Sequence, residues 1–289
     1  MTARKRPGTL ARTGIPPGLG PRARCRILAA CRRSRRRLFL LDYDGTLVPF
    51  AAMPGLSAPS PQLLGLLGRL SSNGANDVVL ISGRPRVALQ RWFGALQLSL
   101  VAEHGAWVRL KGWPAWESLA PSRPRWKRKV LPLLRAFLRD VPGSLLETKD
   151  HSLALHFRKS EPKDAGRGLR RLRGRLGRIA PGQGIAVLSG HKVLEVQTAG
   201  IDKGAAVRWL LARKRPGFVL AMGDDQTDEN MFRALPRNAH SVRVGSVRSC
   251  ASYSTPSQRN VLPFLASIAD LGHLGKEGPS CTASRITAK

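Results

Sequence analysis

The sequence is short of acidic residues, paired cysteines and long apolar runs, and each shortage narrows what the chain can do. Four cysteines, Cys25, Cys31, Cys250 and Cys281, occur in 289 residues, and they form no C-x-x-C pair and no zinc-ligand spacing. A disulfide framework is therefore not expected; free thiols in a reducing compartment, the cytoplasm, are. No apolar run approaches the ~18 residues of a membrane span, and no signal-type apolar region follows the basic start. Only 18 Asp and Glu stand against 49 Lys and Arg, a formal net charge of +31 at pH 7. Charge of that size raises nucleic acid as a partner. Against this, the basic residues are mostly Arg scattered through every segment, with no zinc-finger spacing and no RNP-type aromatic pattern. A compositional bias toward Arg is the preferred reading, with no specific nucleic-acid partner. Such a surface still draws anionic substrates, and polyanions at low salt.

The few carboxylates are not spread evenly. The first acidic residue is Asp42, which opens Asp42-Tyr43-Asp44-Gly45-Thr46 directly after the apolar run Leu38-Phe39-Leu40-Leu41. Four apolar residues without polar alternation suit a strand buried on both faces of a parallel sheet. Its acidic residues then fall at the carboxyl end, where open α/β sheets hold their ligands. Carboxylates beside such a core are costly unless a cation or hydrogen bonds compensate them, so the Asp-x-Asp pair asks for a metal. For this stretch alone, a plain Asp-Gly β-turn is the alternative.

Residues 1–23 are rich in Arg, Gly and Pro, whose ring and flexibility would break an amphipathic targeting helix, so a disordered basic extension is expected. The first part of a core follows over 24–112. It comprises a basic helix over 24–37, the strand before Asp42, leucines at helical spacing over 61–72, and a buried strand over 76–82 ending in Ser82-Gly83-Arg84. A helix over 85–93 and a strand over 98–102 complete it. Alternating strands and helices predict a doubly wound parallel sheet. Over 113–198 the pattern changes to basic helices at 126–139 and 164–179, with paired strands at 144–148, 153–158, 185–189 and 192–197, which suits an inserted α+β cap. The core resumes over 199–272 with helices at 203–213, 230–235 and 261–271 and strands at 218–222 and 241–244. Residues 273–289 read as a disordered tail. The fold class is α/β: a Rossmann-like doubly wound parallel core with an inserted cap.

Four features then stand at strand ends or helix starts: Asp42-x-Asp44, Ser82, Lys203, and Asp224 with Asp228. Oxygen ligands without nearby His or Cys point to Mg²⁺. Ser82 and Lys203 are natural partners of phosphate oxygens, one as a hydroxyl donor and the other as a point charge. Together they make a phosphoryl-transfer site. In this order the motifs resemble those of the haloacid-dehalogenase superfamily of phosphatases. Over residues 30–270 the chain is similar, more specifically, to trehalose-6-phosphate phosphatases. The likeness rests on Ile81-Ser82-Gly83-Arg84, Ala102-Glu103-His104-Gly105, Glu147 with Lys149 and Ser152, and His156-Phe157-Arg158. It continues in Lys192-Val193-Leu194-Glu195-Val196, Gly200-Ile201-Asp202-Lys203-Gly204, and Gly223-Asp224-Asp225 with Thr227-Asp228-Glu229. The last stretch resembles phosphatase domains fused elsewhere to trehalose-phosphate synthase. No synthase-length segment precedes it here, so a separate synthase is the partner that the resemblance raises.

The resemblance implies Mg²⁺-dependent hydrolysis of trehalose 6-phosphate to trehalose and phosphate, through an aspartyl-phosphate. Asp42 would attack phosphorus and Asp44 would serve as general acid and base, while Ser82 and Lys203 clamp the transferring group. Mg²⁺ would sit on the Asp42 carboxylate, the Asp44 carbonyl and Asp224, with Asp228 behind them. Substrate contacts fall to Arg84 and, in the cap, to Glu147, Lys149, Arg158 and Glu195. Glu147 and Lys149 are two apart, so on a strand both point to one face. Without the resemblance these cap residues read as a solvated sheet face with ion pairs, and His104 as a structural histidine. The family often carries Arg-Pro where Gln197-Thr198 stand, and His-Tyr where His156-Phe157 stand. The alternatives are a phosphatase of another sugar phosphate such as sucrose phosphate, a catalytically silent synthase-binding or sugar-phosphate-sensing module, and polyanion binding by the basic surface.

Overall fold

A computed structural model describes residues 14–49, 58–120, 124–190 and 192–271. The expected tail over 273–289 lies outside the described residues, as does Cys281. Helix α1 (Pro21–Arg33) starts earlier than expected because proline fits the first helical position, where its missing N–H has no partner to lose. Strand β1 (Arg37–Leu41) follows, then α2 (Pro61–Ser72), β2 (Asn76–Ile81), α3 (Arg86–Phe93) and β3 (Ser99–Ala102). Two short strands, β4 (Trp107–Arg109) and β5 (Glu117–Ser118), return antiparallel along the sheet edge.

The apolar run of β1 is buried on both faces, and its residues sort by parity. Phe39 and Leu41 join one core with α1, α2, α3 and the C-terminal helix, while Leu38 and Leu40 join a second core on the opposite face. All four side chains are fully buried, and truncating any one to Ala would cost about 2–5 kcal/mol in transfer and cavity energy.

Between the halves of the core stand α4 (Lys127–Asp140), β6 (Leu145–Thr148), β7 (Ser152–His156), α5 (Pro162–Ile179), β8 (Ile185–Gly190) and β9 (Val193–Thr198). They form an antiparallel sheet of order β6-β7-β9-β8. Leu153, Leu155, Leu194 and Val196 pack one face against α4 and α5. The alternate residues face the other way, and register aligns Glu147, Ala154, Glu195 and Leu188 in one row across the four strands. The chain re-enters the core through α6 (Lys203–Lys214), β10 (Phe218–Gly223), α7 (Gln226–Arg233), β11 (His240–Val244), β12 (Tyr253–Thr255) and α8 (Val261–Asp270). The large sheet has the order β12-β11-β10-β1-β2-β3-β4-β5, parallel from β12 through β3.

Two expected boundaries are corrected. Residues 14–23 are part of the fold: Leu19 N donates to Ser254 O at 2.7 Å and Ser254 N to Pro17 O at 2.8 Å. The edge strand β12 presents unpaired backbone groups that this segment satisfies. The core also does not end at residue 112, because β5 still pairs with β4 in the large sheet. The start of the inserted unit therefore shifts beyond Ser118. Among the described residues no helix is long and apolar enough to cross a membrane.

Candidate active site

Parallel register brings the polar residues together. Leu41 is level with Met222 on one side and Leu80 on the other, so Asp42 and Ser82 lie just past the ends of neighbouring strands, and Asp224 follows Gly223 at the end of β10. Asp42 N donates to Met222 O at 3.0 Å and Ser82 N to Val101 O at 2.9 Å, which fixes both backbones. After Asp44 the chain reverses at Gly45, whose φ of 84° lies in the left-handed region open to glycine. The amides of Leu47 and Val48 close the turn on Tyr43 O. Tyr43 anchors it from below, fully buried against Trp92 and Phe93.

Lys203 is the first residue of α6, capped by the Asp202 carboxylate accepting from Ala205 N at 2.7 Å. Its ammonium, 2% exposed, donates to Asp42 Oδ1 at 2.5 Å and Asp228 Oδ1 at 2.7 Å. Burial pulls its pKa down, but Asp228 and Asp42 outweigh that and raise it, so the side chain stays charged. Asp228 lies in the first turn of α7, and its other oxygen accepts from the Asp224 and Asp225 amides at 2.9 Å each. With both oxygens engaged, Asp228 orients its neighbours.

Asp42, Asp224 and Asp228 bring carboxylate oxygens within 4.8 Å of one another. Burial, opposed by Lys203 and reinforced by Asp228 and Asp224, raises the Asp42 carboxyl well above its usual range. Burial and Asp228 push Asp224 up to about 6, although Asp42 and Thr46 hydrogen-bond to it. Two carboxylates that approach this closely in a dry site call for a shared proton or a cation. An all-oxygen donor set fits a small hard divalent cation.

The Asp44 carboxylate is not one of the three in this cluster. Arg84 grips it through Nε at 2.8 Å and a terminal nitrogen at 2.5 Å, and the guanidinium stacks on Trp92. Ser82 Oγ accepts from Arg84 N at 3.1 Å.

The polar face of the cap sheet closes over the carboxyl ends and leaves a cleft of about 440 Å³ between them. Lys149, His156 and Glu195 line it from the cap, and Lys203, Asp225 and Asn230 from the core. Glu195 is 8% exposed and accepts from Lys149 Nζ at 3.0 Å and Ser152 Oγ at 2.5 Å, with His104 Nε2 at 3.2 Å. Lys149 also donates to Gly83 O, from the core, at 3.0 Å. Glu147 reaches His156 Nε2 at 3.0 Å beside the cleft. Burial would raise its carboxyl, but His156 and Lys149 hold it below the usual value. The structure thus brings Asp42, Ser82, Lys203, Asp224 and Asp228 together at the strand ends, with Lys149 and Glu195 above them. Arg158 is not brought in: it is exposed in the turn after β7 and does not line the cleft.

Three functional residues were missed by the residue-level reading. Thr46 donates to Asp224 Oδ1 at 3.0 Å. Ser152 donates to Glu195 Oε1 at 2.5 Å; two residues from Ala154, which lines the cleft, it lies on the same face of β7. Glu103, 3% exposed, accepts from the Asp150 and His151 amides at 3.0 and 2.7 Å and ties the core to the cap turn. Its residue type carried no signal of this role, because burial is set by the fold and not by one sequence.

The family model for trehalose-phosphatase matches residues 40–263. A bifunctional trehalose-6-phosphate synthase/phosphatase of Thermoproteus tenax is 38% identical over 233 residues, covering 81% of this chain and 32% of the relative. A trehalose-phosphatase of Schizosaccharomyces pombe is 31% identical, covering 84% of this chain and 32% of the relative. The chain thus spans about a third of the length of these curated relatives. Among solved structures, the C-terminal domain of C. albicans trehalose-6-phosphate phosphatase superposes with a TM-score of 0.81 at 30% identity, covering 89% of this chain and 98% of that one. A haloacid dehalogenase-like hydrolase from Bacteroides thetaiotaomicron shares the fold at a TM-score of 0.58 and 19% identity, covering 80% of this chain and 98% of that one. The matched span runs from the strand before Asp42 to the helix after Asp228, and the chain belongs to the trehalose-phosphatase family.

Proposed function

We propose that the chain hydrolyses trehalose 6-phosphate to trehalose and phosphate, using Mg²⁺ and an aspartyl-phosphate intermediate. The observation that carries this reading is the buried Lys203 ammonium joining Asp42 to Asp228 beside Asp224, directly under a polar cap face. An Asp42 oxygen forms a bond to phosphorus as the bond from phosphorus to the sugar oxygen breaks. Asp44 gives that oxygen its proton, then takes one from the water that cleaves the acyl phosphate. Arg84 holds Asp44, and a phosphate dianion, as a partner for the same guanidinium, would compete for it and release Asp44. Ser82 and Lys203 orient the equatorial oxygens.

The Asp42 and Asp224 carboxylates and the Asp44 carbonyl, with Asp228 behind them, would hold Mg²⁺, which would supply the positive charge that lets an anionic nucleophile meet an anionic phosphate. Lys149 and Glu195, with Glu147 through His156, offer donors and acceptors to sugar hydroxyls on the cap side. The bifunctional relative, whose name pairs synthase with phosphatase, supports a trehalose-phosphate synthase as the source of substrate.

The test is phosphate release from trehalose 6-phosphate and a panel of other sugar phosphates, with Mg²⁺ or EDTA, for the wild type and Asp42→Asn. Selective, metal-dependent release that is lost in the variant supports the reading. Equal release across the panel keeps the phosphatase and discards the sugar, and release by Asp42→Asn at the wild-type rate discards the nucleophile.

A further inference from the structure

A second cleft, of about 990 Å³, opens at the seam between core and cap and shares no lining residue with the first. Arg86 from the core and Arg125, Lys127 and Arg128 from the start of the cap line it, against one lining carboxylate, Asp150. Two of these cations are already fixed in place. Arg86 is held by Asp150 at 2.8 Å across the seam, and its guanidinium stacks 4.4 Å above the Trp107 ring. Lys127 donates to the carbonyls of Lys149 and Asp150, at 2.9 Å for the latter. Arg125 and Arg128 are exposed at the rim. Preorganised cations lose little freedom on binding, and guanidinium forks match phosphate oxygens in pairs.

We propose that this seam cleft is a second anion site, which takes a phosphate-bearing small molecule. The four cations lie on both sides of the seam, so an anion held by Arg86 and by Arg125 or Arg128 contacts core and cap at once. A ligand that needs both bodies favours the arrangement in which they meet. The site also adjoins the catalytic cleft through one residue: the Lys149 carbonyl accepts from Lys127, while the Lys149 ammonium donates to Glu195 and Gly83 O. Occupancy of the seam therefore bears on the residue that faces the substrate. Free phosphate and organic phosphates share the recognising chemistry, and the spare volume beyond a single phosphate group favours the organic kind.

The full chain is titrated with inorganic phosphate, pyrophosphate and a nucleoside monophosphate by calorimetry at fixed ionic strength. Arg125→Gln/Arg128→Gln should weaken pyrophosphate and nucleotide binding at least about tenfold, the loss expected for charge-assisted hydrogen bonds. Phosphatase activity without added anion should stay within about twofold, since neither side chain touches the catalytic cleft. Arg170→Gln/Arg178→Gln, an equal charge loss on the exposed face of α5, serves as the control for general attraction to a basic surface. Equal weakening in the control, or unchanged binding in the seam variant, overturns the proposal. Tightest binding by inorganic phosphate alone would overturn the organic-ligand part. Arg128→Glu, at an exposed position, gives the same readout by charge reversal if the double variant is poorly folded.

Discussion

Replacing Glu195 by glutamine isolates the charge at the centre of the cap's polar face while preserving its shape. In the wild type its carboxylate accepts from Lys149 and Ser152 and meets His104. The variant leaves the Lys149 ammonium, whose side chain is 7% exposed, without its carboxylate. Breaking a buried pair from one side costs about 3–5 kcal/mol. The glutamine oxygen still accepts from Ser152, so the low end applies, about 3 kcal/mol at pH 7. The pH dependence follows from the same contacts. Burial alone would raise the Glu195 carboxyl, but Lys149, His104 and Ser152 outweigh it and hold it well below the usual range. A carboxyl lowered by folding contributes fully above the unfolded value, about 4.3, and loses its contribution as pH falls toward the folded value. Glutamine does not titrate, so the gap between the proteins should be widest at neutral pH and should narrow below about pH 4.3. Urea unfolding of both proteins, followed by circular dichroism from pH 7 downward, measures that gap. A difference under about 1 kcal/mol at pH 7, the range of exposed pairs, would refute the reasoning; so would a difference that does not change with acid.

Other perturbations separate the remaining contacts. Lys203→Met leaves Asp42 and Asp228 buried without their shared cation, and should cost about 3–5 kcal/mol in thermal or denaturant unfolding along with phosphate release. Gly83→Ala would put a methyl 2.4 Å from His104 Nε2, so the ring must leave Glu195; a loss of about 1–3 kcal/mol is expected, with a larger fall in kcat/KM than Asp77→Asn produces at a remote ion pair. Mg²⁺ should raise the melting temperature of the wild type in a concentration-dependent way, and EDTA should reverse it, whereas Asp224→Asn should need more metal for the same shift. A melting temperature unaffected by Mg²⁺ would remove the metal from the acidic cluster.

Much of the core was legible because its strands obey strong local rules. Leu38-Phe39-Leu40-Leu41 has no polar alternation and is buried on both faces, and the leucines of α2 fall at helical spacing. The strands β4, β5 and β12 were not expected, since two or three residues are too few to establish a period and β5 is exposed throughout. The strand-end positions of Asp42, Ser82 and Asp224 followed from the parallel sheet. What the sequence pattern could not convey was pairing: that Arg84 grips Asp44, that Lys203 spans two carboxylates, and that Glu103 reaches the cap turn. Those depend on side-chain directions fixed only once the sheet register and the cap position are set. Helix α7 (Gln226–Arg233) starts four residues before the expected position of 230. Asp225 and Asp228 form a reciprocal capping box, and as carboxylates in a candidate metal motif they drew the reading toward ligand chemistry and away from helix capping.

The charge of the whole chain and the charge of its site act in opposite directions, which explains why Lys203 must be buried where it is. A surface of +31 attracts an anionic substrate from a distance. At the strand ends the proposed anionic substrate would meet Asp42, Asp224 and Asp228 crowded together, a local field that repels it. Long-range attraction is screened within ~8 Å at physiological salt and cannot offset repulsion at contact. Positive charge must therefore be present within the cluster itself, and Lys203 supplies one part of it at 2.5 Å from Asp42. That one cation against three carboxylates leaves the cluster net negative, and a divalent ion would bring it to the balance that phosphate approach requires. The scarcity of acidic residues elsewhere in the chain makes their convergence at this point a sign of chemistry, since the composition alone would have left the strand ends basic.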